Sequence, residues 1–194
     1  MIELSGGHVV PSVHRNTPVL REMNCTFYEN EITLLVGKTG SGKSSLLHTL
    51  CGLYPPLEGT VLIDGKPLWL QEKTNPEAIM LMSMVAQFPE QQLFLPTVRE
   101  EFAYSLKPYR LPADTLSKRM EYALGVMGLP PDIGNRSPLA LSGGEMRKLV
   151  LATAIATDPK WLLLDEPTSG LDAAGTVQLV QLLAEWSRDK NKGI

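Results

Sequence analysis

The chain has 194 residues, enough for one domain or for a core domain carrying an inserted subdomain. Its 18 Lys and Arg face 21 Asp and Glu, a net charge of −3, so no overall positive field favours nucleic acid. Cys25 and Cys51 are too few for a disulfide framework and fit a reducing compartment, and no apolar run approaches the ~18 residues of a membrane span.

The first residues read as short strands. Val9-Val10 and Val19-Leu20 are apolar, Asn24 to Tyr28 alternates weakly, and Glu29-Asn30-Glu31 is a polar turn. Met1 to Pro18 carries Glu3 early and no long apolar stretch, so it does not read as a signal peptide. An antiparallel β layer is expected, leading into Ile32-Thr33-Leu34-Leu35-Val36, an apolar, β-branched run that predicts a buried strand.

Gly37-Lys38-Thr39-Gly40-Ser41-Gly42-Lys43-Ser44 follows, the pattern G-x-x-x-x-G-K-S of a phosphate-binding loop. Helical spacing over Ser44, Ser45 and Leu46 to Leu50 supplies the helix that the motif needs next. Glycines let successive N–H groups point inward at an anion, and a helix N-terminus adds its positive dipole end. Lys43 is expected to reach the β- and γ-phosphates, and the Ser44 hydroxyl to ligate Mg²⁺.

A turn at Tyr54 to Gly59 leads to a strand over Thr60-Val61-Leu62-Ile63 and a tight Asp64-Gly65 turn. Another apolar stretch, 79–85, ends at Gln87. Thr97-Val98-Arg99-Glu100 is a capping box that starts a helix. A second helix is expected from about 114 to 127, with Leu116, Met120, Ala123, Leu124 and Met127 on one face, stopped by Gly128 and Pro130-Pro131. Residues 87–141 therefore read as an inserted helical subdomain, with 1–86 and 142–194 as the core.

The core resumes with a helix over 144–156 that ends at Asp158-Pro159, then a buried strand, Trp161 to Leu164, running into Asp165-Glu166. The last helix, about 174–190, is expected to place Val177, Val180, Leu183 and Trp186 on one stripe. Functional residues of open α/β sheets sit at the carboxyl ends of strands, so Asp165 is expected to hold Mg²⁺ through water and Glu166 to polarise the attacking water. Leu141-Ser142-Gly143-Gly144-Glu145 admits two readings: a second anion site at a helix N-terminus, or an ordinary cap made by Ser142.

Taken together, the phosphate loop, Leu-Ser-Gly-Gly-Glu, Leu-Leu-Leu-Asp-Glu-Pro and Ser169-Gly170-Leu171-Asp172 resemble, in order and over essentially the whole chain, the nucleotide-binding domain of ABC ATPases. The resemblance implies an α/β P-loop NTPase core with an N-terminal antiparallel β layer and the inserted α-helical subdomain. It implies head-to-tail pairing with a second ABC ATPase domain, as a homo- or heterodimer. One ATP would lie between the phosphate loop of one domain and Ser142, Gly143 and Gly144 of the other, with Asp172 at the seam. Gln87 would be the glutamine that touches the Mg²⁺ and water region and relays to the transport partner.

A narrower resemblance rests on Gln87-Phe88-Pro89-Glu90-Gln91-Gln92-Leu93-Phe94 and Thr97-Val98-Arg99-Glu100-Glu101-Phe102-Ala103. These are similar to segments of energy-coupling-factor ATPases, apart from Phe88 where Asn is usual. They imply docking on a membrane-embedded coupling subunit, with Leu93 and Phe94 expected to be exposed for it. Three departures from the family stand out. Its usual histidine strand after the last helix is not found, and Lys190 to Ile194 reads as the turn into it, so an incomplete domain that hydrolyses poorly is expected. No aromatic precedes Phe27 to stack on adenine; His14 is the nearest candidate, and Phe27 and Tyr28 read as strand packing. Glu145 replaces the commoner glutamine and adds a negative charge near the partner's nucleotide.

The reading is thus an ATP-binding and hydrolysing subunit, with ATP and Mg²⁺, that powers an importer of vitamins or metal ions from the cytoplasmic face of the cell membrane. Lys43, Gln87 and Glu166 are its expected catalytic residues. Another ABC importer or exporter, or a soluble ABC protein acting on nucleic acid or ribosomes, are the alternatives; without a basic aromatic patch, no nucleic acid is expected.

Overall fold

The computed structural model describes residues 1–11, 17–71, 73–88 and 91–194; His14, Pro89 and Glu90 lie outside them. The chain folds as two compact units, Met1–Met82 with Ser187–Ile194, and Ser83–Trp186.

In the first unit, β1 (Ile2–Val9) pairs antiparallel with both β2 (Leu20–Phe27) and β3 (Thr60–Ile63), giving the order β2-β1-β3-β4 with β4 at Lys66–Pro67. Register follows the period of two. Ile2 and Leu4 face Ile63 and Val61 across the ladder, and all four are at most 2% exposed. Asp64 and Gly65 both have positive φ (52° and 75°), the mirror-image turn that matches the twist of a two-residue hairpin. The expected antiparallel layer is therefore present, and its first strand starts at Ile2. A smaller hairpin, β5 (Trp69–Leu70) with β6 (Lys73–Thr74), precedes the short α2 (Pro76–Ile79), which Asn75 caps through the Glu77 N–H. Helix α1 (Lys43–Leu50) buries Leu46, Leu47 and Leu50.

The run 32–36 is not the buried strand its composition predicts. Thr33 N donates to Ile194 O (2.9 Å) and Ile194 N to Glu31 O (3.3 Å). Past Thr33 the backbone finds no ladder partner among the described residues, and Leu34 and Val36 are 80% and 82% exposed. Apolar, β-branched residues become a strand only where a neighbouring strand takes their N–H and C=O groups, and here the pairing stops at Thr33. Tyr28 likewise lies exposed beyond the end of β2 instead of packing in it.

In the second unit, β7 (Met82–Val85) and β8 (Trp161–Leu164) form a two-stranded sheet, with Trp161 and Leu162 at most 1% exposed. Helices α3 (Val98–Leu106) and α4 (Ala113–Val126) both pack against α5 (Gly143–Ala156). α3 begins at Thr97, whose hydroxyl accepts from Glu100 N (3.3 Å) and donates to the Glu100 carboxylate (2.8 Å). α4 buries Met120, Ala123 and Leu124 as its spacing predicts. α5 buries Leu149, Val150, Leu151, Ala152 and Ile155, each large side chain adding about 1.5–3 kcal/mol, and Arg119 of α4 donates to its last carbonyls, Ala156 O and Thr157 O (3.1 Å each).

Two expectations in this unit are corrected. The last helix, α6 (Ala173–Trp186), ends at Trp186 and buries Gly175, Leu179, Leu182 and Trp186, while Val177 and Val180 are 55% and 57% exposed. The segment is apolar on both faces, so periodicity admits two stripes, and packing chooses the one through Gly175, where Lys148 comes close. Leu93 is buried and only Phe94 is exposed, because the buried carboxylate of Glu101 accepts both the Phe94 and Leu95 N–H (2.6 Å each) and turns the chain there.

Candidate functional site

The phosphate loop belongs to the first unit. Gly40 and Gly42 take the left-handed region (φ 79° and 92°), which a side chain would strain, and a Cβ at Gly42 would lie 3.0 Å from Leu20 of β2. Ser41 N donates back to Lys38 O (3.1 Å), closing the curl. Gly42 stands at the N-cap of α1 with no side chain to offer, so the first N–H groups of the helix, at Lys43, Ser44 and Ser45, have neither an intrahelical nor a capping partner. The Lys43 ammonium folds over the loop, donating to Gly37 O (2.9 Å) and Lys38 O (3.0 Å). Open amides, a helix dipole and a lysine at the rim form a cradle that suits the phosphates of a nucleotide.

Acidic chemistry belongs to the second unit. Asp165 N donates to Val85 O (2.9 Å), which carries the β7–β8 pairing one residue past Leu164. Asp165 is 7% exposed. A carboxylate at the carboxyl end of a strand suits a cation. Among the described residues no three His, Cys, Asp or Glu gather into a metal site. Within this unit a cation at Asp165 would therefore draw on neutral oxygens, such as that of the Gln87 amide, and on the oxygens of its ligand.

Glu166 is exposed and has φ 47°, an uncommon conformation for a residue with a side chain. Its backbone oxygen accepts from Ser169 N (3.0 Å) and from Arg147 Nη2 (3.2 Å), which hold the strained turn, and its carboxylate accepts from Gln87 Nε2 at 2.9 Å. The structure thus joins two of the residues expected for the site, Gln87 and Glu166.

Sequence reasoning passed over Arg147. It is 1% exposed, and its guanidinium donates to four carbonyls: Ala86 (2.5 Å), Gln87 (2.6 Å), Glu166 (3.2 Å) and Ser169 (3.1 Å). The available signal was its phase on α5: Arg147 precedes Leu151 by four residues and Ile155 by eight, on the buried face.

At the start of α5 the cap reading of Ser142 holds in this structure. The Ser142 hydroxyl accepts from Glu145 N (3.3 Å), while the Glu145 carboxylate accepts from Ser142 N (2.8 Å) and Ser142 Oγ (2.7 Å), a complete capping box. Those two donors, first the backbone N–H and then the hydroxyl, hold the Glu145 carboxyl below its usual range. Gly143 faces open space and so leaves the helix end accessible. Asp172 caps α6, accepting from Gly175 N at 2.7 Å.

No helix among the described residues is long and apolar enough to cross a membrane. Residues 20–169 match the family model described as ABC transporter. The chain is 37% identical over 169 residues to the energy-coupling factor transporter ATP-binding protein EcfA2 of Symbiobacterium thermophilum, covering 87% of this chain and 59% of that protein. It is 35% identical over 172 residues to EcfA of Methanocaldococcus jannaschii, covering 89% and 61%. It thus spans about three fifths of the length of these relatives. Among solved structures, cbiO1 of Clostridium perfringens, part of the ABC transporter complex cbiONQ, superposes with a TM-score of 0.79 at 28% identity, over 100% of this chain and 76% of that one. A dimeric ATP-binding cassette in a post-hydrolysis state, bound to ADP and Pi, gives 0.84 at 26% identity, over 100% and 85%. With the phosphate loop, the Asp165-Glu166 strand end and the capped Leu-Ser-Gly-Gly-Glu helix in place, the chain belongs to the ABC transporter family of ATP-binding proteins, with an α/β P-loop fold and energy-coupling factor ATP-binding proteins among its relatives.

Proposed function

We propose that this chain binds Mg-ATP and hydrolyses it as the ATPase subunit of a membrane importer of the energy-coupling-factor type. The observation that carries the hydrolytic part is the Gln87–Glu166 pair, which follows directly on the buried residue Asp165. Names of the relatives and the segment from Gln87 to Ala103 support the importer.

Residue by residue, the loop Gly37 to Ser44, with the Ser45 N–H, holds the phosphates through backbone amides, and Lys43 leaves its carbonyl partners for the β- and γ-oxygens. Ser44, Asp165 and Gln87 hold the cation, which when bound neutralises charge on the phosphate oxygens. Glu166 orients water and takes up its proton, with its carboxylate positioned by the Gln87 amide. Ser142, Gly143 and Gly144 complete the nucleotide site of a second ATPase domain. Closing and reopening of that dimer drives a membrane-embedded coupling subunit, which places the chain on the cytoplasmic face of a membrane as a peripheral subunit.

Mg-ATP turnover and ATP binding by the chain, beside Glu166→Gln and Lys43→Ala, test this. Expected is a loss of turnover of about 10²- to 10⁴-fold in Glu166→Gln with binding retained, and lost binding in Lys43→Ala. Unchanged turnover in Glu166→Gln, or ATP binding indifferent to Lys43, overturns the assignment.

A further inference from the structure

We infer that Arg147 is a positioning residue that couples the N-terminal end of α5 to the Gln87–Glu166 pair. The inference rests on the function proposed above, since it assigns to that pair a sensor of ligand seated at Ser142, Gly143 and Gly144.

A guanidinium that is 1% exposed costs desolvation, and an apolar side chain of similar volume would fill the same space without that cost. What the guanidinium adds is a rigid planar fork whose donors are held by four main-chain oxygens on two separate loops. Two of those oxygens belong to Gln87 and Glu166, whose side chains also meet each other. A third, Ser169 O, belongs to the turn that leads to Asp172. Arg147 therefore fixes the backbone beneath both partners from a single point. Its removal frees Glu166 from one of the two donors that keep it at φ 47°.

The other end of the coupling is one helical turn away. Arg147 follows Gly143 by four residues on the same rigid helix, and the capping box ties Ser142 to that first turn. A ligand that draws on Ser142, Gly143 and Gly144 shifts the helix end, and the guanidinium moves with it. Because the carbonyls of Gln87 and Glu166 share that guanidinium, they move together, and the water-orienting carboxylate responds to whether the helix end is engaged. A lysine at this place offers one point charge to oxygens that now share a fork, so it preserves part of the link and not its geometry.

The test compares the full chain with Arg147→Lys and Arg147→Gln by Mg-ATP turnover against ATP concentration, and by amide hydrogen exchange at 37–44, 142–145 and 166–169 with and without ATP. The expected result is a fall in maximal rate of roughly 10²-fold in Arg147→Gln, with the half-saturating ATP concentration unchanged and Arg147→Lys in between. ATP still protects 37–44 and 142–145 in the variant but no longer changes exchange at 166–169. A merely structural role raises exchange at 166–169 equally with and without ATP, and that pattern overturns the coupling, as does a wild-type rate in Arg147→Gln. If Arg147→Gln does not fold, Arg147→Lys carries the comparison with the same criteria. A wild-type chain in which ATP protects none of 37–44 fails the nucleotide reading itself and takes this inference with it.

Discussion

The Gln87 amide donates to the Glu166 carboxylate across 2.9 Å. This hydrogen bond joins the second residue past the end of β7 to the second residue past the end of β8. It positions a carboxylate that would otherwise turn freely on an exposed side chain, and a positioned base is what water activation needs.

The pair makes a pH-dependent prediction. Gln87→Ala removes the donor, and turnover falls by about 10- to 100-fold with ATP binding retained. Gln87→Glu instead sets two carboxylates side by side. Like charges at that separation cannot both ionise easily, so one carboxyl titrates at higher pH than an ordinary glutamate. The ionised base is then lost at higher pH as the solution is acidified, and the acid limb of the rate profile moves upward in pH. Rate profiles of wild type and Gln87→Glu that overlay would show that the two side chains do not interact during turnover.

A second pH effect belongs to the signature helix. Ser142 lowers the Glu145 carboxyl below its ordinary value of 4.5 in the folded chain. A group depressed on folding stabilises the fold above its unfolded value, and that contribution disappears as pH falls through the folded value. The melting temperature of the chain should therefore exceed that of Glu145→Gln near neutrality by a margin that shrinks as pH drops below 4.5. Thermal melts of both proteins between pH 7 and pH 3 measure it. A margin that is constant over this range would place the capping role elsewhere.

The contrast between what the sequence makes legible and what it hides is physical. The phosphate loop, the β8 strand with Asp165-Glu166 and the capped starts of α3 and α5 are local: a few residues set each backbone, so their motifs can be read directly. Arg147 escapes because its role lies in four carbonyls from residues 86–169, and carbonyls carry no sequence signal. Residues 32–36 mislead for a related reason, since a strand is defined by its neighbours. The α6 stripe misleads because Val177 and Leu179 are equally apolar and only tertiary packing separates them.

Partial burial of Cys51 at the end of α1 gives a chemical prediction. Desolvation pushes its thiol from 9.0 up to about 11, and its Sγ lies 3.3 Å from His48 O. The thiolate is the reactive form, so at pH 8 its fraction is about a hundredfold below that of an unperturbed thiol. Iodoacetamide should label Cys51 in the native chain at about a hundredth of the rate seen in urea. Equal rates in both conditions would mean that the α1 end is open to solvent.

The last prediction separates apolar residues that pack from those that do not. Leu34 is 80% and Val36 82% exposed, whereas Leu162 is fully buried in β8. Exposed positions away from caps and networks change stability by no more than about 0.5 kcal/mol. Truncating a buried leucine removes its transfer energy and leaves a cavity, at a cost of about 2–5 kcal/mol. Leu34→Thr and Val36→Thr should therefore leave the urea midpoint of the chain almost unmoved, while Leu162→Ala lowers it strongly. The same two threonine substitutions remove an apolar strip beside unpaired backbone, a template for edge-to-edge association, and should raise the concentration at which the chain aggregates. A loss of 2 kcal/mol or more in Leu34→Thr, roughly the cost of a buried leucine, would show that a strand covers 34–36 in solution and that this edge is paired.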